Sequence, residues 1–153
     1  MRHAPLIAAG LIVASLALAL AACSKPIPPQ GHWQGAYDSG GTLVVARVEI
    51  AANGQVRLSA PDLTNTQNAD TEQRRQMRER LAAELANGWD AVMPRPMDFD
   101  GKTFRKPGGI APQMTWDKTR KQMTLVLYLG NAAPIYIPLQ HVGAFSDNPW
   151  PTG

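Results

Sequence analysis

The 153-residue chain carries one thiol, three imidazoles and twelve carboxylates as its side chains for covalent, acid–base or metal chemistry. Cys23 is the only cysteine, so no internal disulfide forms and the thiolate is free to act as a nucleophile. His32 and His141 have no cysteine, histidine or carboxylate at metal-ligand spacing, and no zinc site is expected. Asp98-Phe99-Asp100-Gly101 places two carboxylates as the start of a calcium loop would. Lys102, Arg105 and Lys106 then follow where oxygen ligands and a bidentate glutamate are needed. Ser39-Gly40-Gly41 lacks the G-x-S-x-G context of an activated serine and reads as a flexible turn. Arg74, Arg75, Arg78 and Arg80 could clamp an acidic partner, but Glu72, Glu79 and Glu84 are interspersed with them, which favours a solvated helix face. These residues define no catalytic constellation, no metal site and no cofactor, and the expectation is a protein that is not an enzyme.

The chemistry of Cys23 depends on what precedes it. A basic start, Met1-Arg2-His3, leads into an apolar run from Leu6 to Leu20 that only small residues interrupt, the layout of a secretion signal. A membrane-spanning helix needs about 20 apolar residues and charged flanks, and this run is shorter and ends in small residues. Leu20-Ala21-Ala22-Cys23 resembles the lipobox of bacterial lipoproteins, with every element in order. The resemblance implies cleavage between Ala22 and Cys23, a diacylglyceryl thioether on Cys23 and acylation, as by palmitate, of its new amino group. Each buried methylene contributes about 0.8 kcal/mol, so two or three chains hold a protein on a bilayer durably. Ser24 following the cysteine implies outer-membrane sorting in a two-membrane host. The expected location is the cell envelope, on the periplasmic face of the outer membrane.

Residues 1–22 are thus read as a signal peptide, 23–31 as a lipidated cysteine with a tether, and 32–153 as one periplasm-facing domain. Three prolines between Ser24 and Gly31 predict an extended spacer, reaching roughly 25 Å at about 3.1 Å per residue. Loss of Arg2 from the fifteen basic residues leaves fourteen against twelve acidic ones. That near balance argues against nucleic-acid binding and supplies no case for strong attraction to anionic lipid. A mature chain of this size buries a core without disulfides.

The elements follow from periodicity. Val44, Ala46, Val48 and Ile50 alternate with Val45, Arg47 and Glu49, which predicts a half-buried strand. Asn53-Gly54 supplies a hairpin turn with positive backbone angles, and Gln55 to Ser59 the return strand. Met77, Leu81 and Leu85 recur every four residues in a helix over residues 70–87, with Asp70 and Gln73 as capping box and Gly88 as stop. Beyond Pro94 and Pro96, a hairpin around Asp100-Gly101 precedes strands at Met114 to Asp117, Gln122 to Leu129 and Ile135 to Leu139. Connections too short for parallel crossovers make these an antiparallel meander. Pro138 should push the last strand to an edge. Phe145 and Trp150 are expected to tie down the tail. The fold class is α+β: an antiparallel β meander or partly open barrel of about six to eight strands with one helix.

Gly31-His32-Trp33-Gln34-Gly35-Ala36-Tyr37 resembles the first strand of lipocalin-like barrels, which implies a tryptophan at the barrel floor. Lys106, Pro107, Gly108, Gly109 and Ile110 form a proline- and glycine-rich loop, read as mobile, and are the preferred binding surface. The expected function is a lipid-anchored, non-catalytic envelope protein that binds another envelope component, with an envelope protein as the expected partner. Its alternatives are an inhibitor or immunity-type protein against a periplasmic toxin or cell-wall hydrolase, and a lipocalin-like carrier of a small apolar ligand.

Overall fold

The structure is a computed structural model, and it describes residues 24–150. The segment read as a signal peptide, with the expected cleavage at Ala22 and the expected lipidation at Cys23, lies outside the described residues.

Ten strands form one antiparallel sheet: β1 (Gly31–Ser39), β2 (Thr42–Ile50), β3 (Gln55–Ser59), β4 (Thr64–Asn65), β5 (Arg95–Pro96), β6 (Asp98–Phe99), β7 (Thr103–Arg105), β8 (Pro112–Asp117), β9 (Gln122–Leu127) and β10 (Ile135–Val142). The order is β5-β3-β2-β1-β10-β9-β8-β7-β6, with β4 added beside β2. The count exceeds the expected six to eight because β4, β5 and β6 are two-residue pairings that no periodicity reveals. The first and last strands, β1 and β10, pair through His32–Val142, Trp33–His141 and Gln34–Gln140. At the opposite seam, one extended run pairs with β3 through Arg95 and Pro96, passes Met97, and pairs with β7 through Asp98 and Phe99. Sharing this run between the two sheet edges makes the barrel nearly closed.

Inward side chains fill that barrel. Val44, Val48, Phe104, Met114, Met123 and Ile137 are fully inaccessible, and Trp33, Ile50, Val56, Leu125 and Leu139 join the same cluster. Trp33 meets Trp116 and His141 edge-on, with ring centroids 5.5 and 4.9 Å away. A second cluster lies outside the barrel, where Leu43 and Val45 of β2 meet Leu81 and Leu85 of the helix α1 (Thr71–Gly88). Strand β2 is therefore buried on both faces, and not half-buried as its alternation suggests.

The capping box forms: Asp70 Oδ1 accepts from Gln73 N at 2.8 Å and Gln73 Oε1 accepts from Asp70 N at 3.0 Å. Gly88 does not stop the helix in a left-handed conformation. It stays right-handed, a 3-10 turn (Trp89–Ala91) continues the coil, and extended Val92 ends it two residues before Pro94. The helical arginines also depart from the solvated-face reading. Arg75 and Arg80 pair along the helix with glutamates, but Arg74 and Arg78 both reach Asp38 at the end of β1 and so bolt the helix to the barrel.

Pro138 is not at an edge, because β10 lies between β1 and β9. The proline is tolerated because the β1–β10 ladder ends at Gln34–Gln140, two residues from it. Gly35 is needed there: a Cβ on it would stand 2.2 Å from the Pro138 carbonyl oxygen. At the Asn53-Gly54 turn only Gly54 has a positive φ, +80°. Gly54 N donates to Ala51 O and Ala51 N to Gln55 O, each at 2.9 Å, the pattern of a turn closed by a glycine bulge.

Candidate functional site

Strand direction assigns every loop to one of two barrel ends. The β2–β3 turn, the β6–β7 turn at Asp100–Lys102, the β8–β9 turn at Lys118–Lys121 and the start of β1 share one end. The β1–β2 turn, the Lys106–Ala111 loop and the Tyr128–Pro134 connection share the other.

The proline-rich segment read as a tether enters at the first end. It does not stand off as a free spacer: Ser24 to Gln30 run back across the barrel mouth. Pro26 approaches Gly101, and Pro28 approaches Gly54. A cleft of about 830 Å³ between tether and barrel is lined by Lys25, Trp33, Phe99, Trp116, Lys118 and His141, among others. His141 covers Gly31, where a Cβ would stand 2.5 Å from the imidazole Nε2. Trp33 therefore sits at a barrel end as a buried core residue, 3% exposed.

The Lys106–Ile110 loop is at the far end and is held more firmly than its composition suggests. Gly109 N donates to Lys106 O at 2.8 Å, Gly108 takes a φ of +71°, and Gly108 N donates to Asp98 Oδ2 at 3.3 Å. Arg105 spans it, with Nε donating to Ile110 O at 3.2 Å and Nη1 to Asp100 Oδ2 at 2.6 Å. These bonds present Ile110 to solvent, 93% exposed. Beside the loop, a cleft of about 600 Å³ runs along the seam, lined by Leu58, Val92, Met93, Arg95, Met97, Lys106 and Pro107, among others. Met93 is 70% exposed, and Arg95 and Lys106 make no ion pair among the described residues.

Five large apolar side chains are well exposed among the described residues: Ile27 on the tether, Met93 at the seam, and Ile110, Tyr128 and Tyr136 towards the loop end. The tyrosines and Met93 escaped sequence reasoning. In sequence they look like ordinary alternation and linker, and only strand register assigns Tyr128 and Tyr136 to the same end as Ile110.

Asp98 and Asp100 do not act as a pair. Asp100 accepts from Lys102 N, Thr103 N, Thr103 Oγ1 and Arg105 Nη1, and these hydrogen bonds hold its carboxyl well below the usual range, the Thr103 hydroxyl contributing most. Its role is to cap a turn. Among the described residues, no three histidine, cysteine or acidic side chains gather as a metal would need.

The C-terminal tail covers the outer face of β1 and β2. Gln34 clamps the Ser146 backbone at both groups: Nε2 donates to Ser146 O at 2.7 Å, and Oε1 accepts from Ser146 N at 2.8 Å. Arg47 Nη2 donates to the same carbonyl at 3.1 Å, and its guanidinium lies 4.9 Å from the Phe145 ring centre. Burial pulls the Arg47 pKa down, while nearby Asp147 opposes that shift. Trp150 Nε1 donates to Arg78 O at 3.2 Å, so Phe145 and Trp150 do tie the tail to the body.

No family model, curated protein or solved structure matches this chain.

Proposed function

We propose that the protein is a lipid-anchored component of the bacterial cell envelope that binds another envelope protein through the barrel end carrying Ile110. The single observation behind this reading is the polarity of the barrel. The tether that leads back to Cys23 crosses one end, and the Lys106–Ile110 loop with Tyr128 and Tyr136 is at the other. A molecule moored through Cys23 therefore carries Ile110, Tyr128 and Tyr136 on the end opposite its mooring, where a second protein reaches them. Exposed aromatic and aliphatic side chains on a rigid scaffold suit protein recognition. On this reading lipidation of Cys23 supplies location, the barrel supplies rigidity, and no bond of the partner is broken.

The filled interior gives ligand carriage no supporting observation, since Phe104, Met114 and Met123 occupy the space a ligand would take. Photo-crosslinking in living bacteria tests the proposal. A benzophenone side chain at position 110 should capture a discrete envelope protein, and the same probe at position 118 should not. Capture of no protein at position 110, or an equal yield of the same one at 118, would overturn it. The captured protein's identity separates a general envelope component from a toxin or cell-wall hydrolase.

A further inference from the structure

The balanced net charge conceals a segregation. The sequence contains five lysines. Four of them, Lys25, Lys102, Lys118 and Lys121, belong to the tether or to turns at the tether end, and all four are exposed. Only Lys106 is at the loop end. None of the four makes an ion pair among the described residues, whereas most arginines are engaged: Arg74 and Arg78 with Asp38, Arg57 with Glu49, Arg105 with Asp100. The acidic groups on the lysine-bearing end are already occupied. Asp100 is held by Arg105 and its own turn, and Asp117 accepts from Thr119 N and Arg120 N and pairs with Arg120 at 3.7 Å.

We infer that this lysine collar is a seat for an anionic phospholipid bilayer, which fixes the barrel end-on to the membrane. The occupant follows from two observations. Residues 1–23 join the domain at Ser24, on this same end. The collar's free charge is positive and complements phosphate headgroups, and each lysine near such a surface adds attraction that salt screens. Ile27, 81% exposed among tether residues pressed against the barrel mouth, gives the seat an apolar contact. A tether folded back across the mouth keeps the end close to the headgroups, which a standing spacer would not. The inference deepens the proposed function and rests on anchorage through Cys23 for its geometry.

The test is a lysine footprint of the full chain, purified from bacterial membranes and reconstituted in nanodiscs. One set contains phosphatidylcholine alone, the other an equal mixture with phosphatidylglycerol. Acylation by an activated ester, read by peptide mass spectrometry, should slow about tenfold at Lys25, Lys102, Lys118 and Lys121 in the anionic discs. Lys106 should react equally in both and is the internal control. In the Lys118→Glu, Lys121→Asn variant, Lys25 and Lys102 should lose most of their protection. Asparagine suits the left-handed backbone at position 121, where φ is +52°, so that loss would not come from a strained turn. Equal rates at all five lysines in the two disc types would overturn the seat.

The intact mass separates the two readings. A lipidated protein without protection removes the seat and leaves anchorage standing. An unlipidated protein removes anchorage, and the same footprint on phosphatidylglycerol vesicles then decides the seat: protection of the four lysines supports it, and none overturns it.

Discussion

The two ends of the barrel are built from different materials. At the tether end, Trp33, Trp116 and His141 stack edge-on beneath a strap of prolines, Asp100 closes its turn with four accepted hydrogen bonds, and four lysines project. At the loop end, glycine turns carry Ile110 outward and leave Tyr128 and Tyr136 about half exposed. On the proposed reading, the end of stacked rings and lysines, with Ile27 as its exposed apolar side chain, meets the membrane, and the end that exposes Ile110, Tyr128 and Tyr136 meets a protein partner. The filled interior lets both ends act as fixed surfaces of one body.

That comparison breaks first if the interior is not solid. Phe104→Ala removes a fully buried ring stacked 4.4 Å from Phe99. It should cost about 3–5 kcal/mol in denaturant unfolding, and a cost under about 1 kcal/mol would mean a loosely filled barrel and favour ligand carriage. Next in size is Gln34→Ala, which takes the side-chain acceptor from Ser146 N and leaves the Ser146 carbonyl to Arg47 alone. It should cost about 1–3 kcal/mol and raise amide exchange in residues 143–150 above that of the strands. Unchanged exchange there would show that Arg47, Phe145 and Trp150 hold the tail without Gln34.

Asp100 sharpens the description of the tether end through pH. Its native pKa lies below its unfolded value, so its stabilisation of the hairpin is complete above the unfolded value and is lost as pH falls through the native one. Its carboxyl signal in NMR should therefore stay unmoved through the range where ordinary aspartates titrate. Asp100→Asn should abolish that part of the acid dependence. Smallest in stability is Ile110→Ser, expected within about 0.5 kcal/mol of wild type because the side chain is already in water. It should nevertheless reduce partner capture at the loop end severalfold. A large loss of stability would mean that Ile110 is packed and not presented.

Local signals in the sequence were faithful where the structure is local. The alternation of Val44, Ala46, Val48 and Ile50 marks the barrel interior, and Asp70 with Gln73 marks the helix start. What the sequence hid is non-local. Pairing of β1 with β10 joins strands about a hundred residues apart, and two-residue strands carry no period. Arg47, Arg74 and Arg78 sit where alternation or helical spacing assigns water, yet a tail and a strand end from elsewhere in the chain cover or pair them. Three prolines read as an extended rod, although two of them, Pro26 and Pro28, lie beside the glycine turns at Gly101 and Gly54. The Lys106–Ile110 loop was legible as a loop, but its distance from the tether needed strand register.

Everything proposed for the two ends depends on which of them is moored. Labelled palmitate fed to bacteria making the protein measures this directly: label should enter the wild-type chain and be absent from Cys23→Ser. A wild-type chain without label, or a variant that takes up as much, would contradict the account.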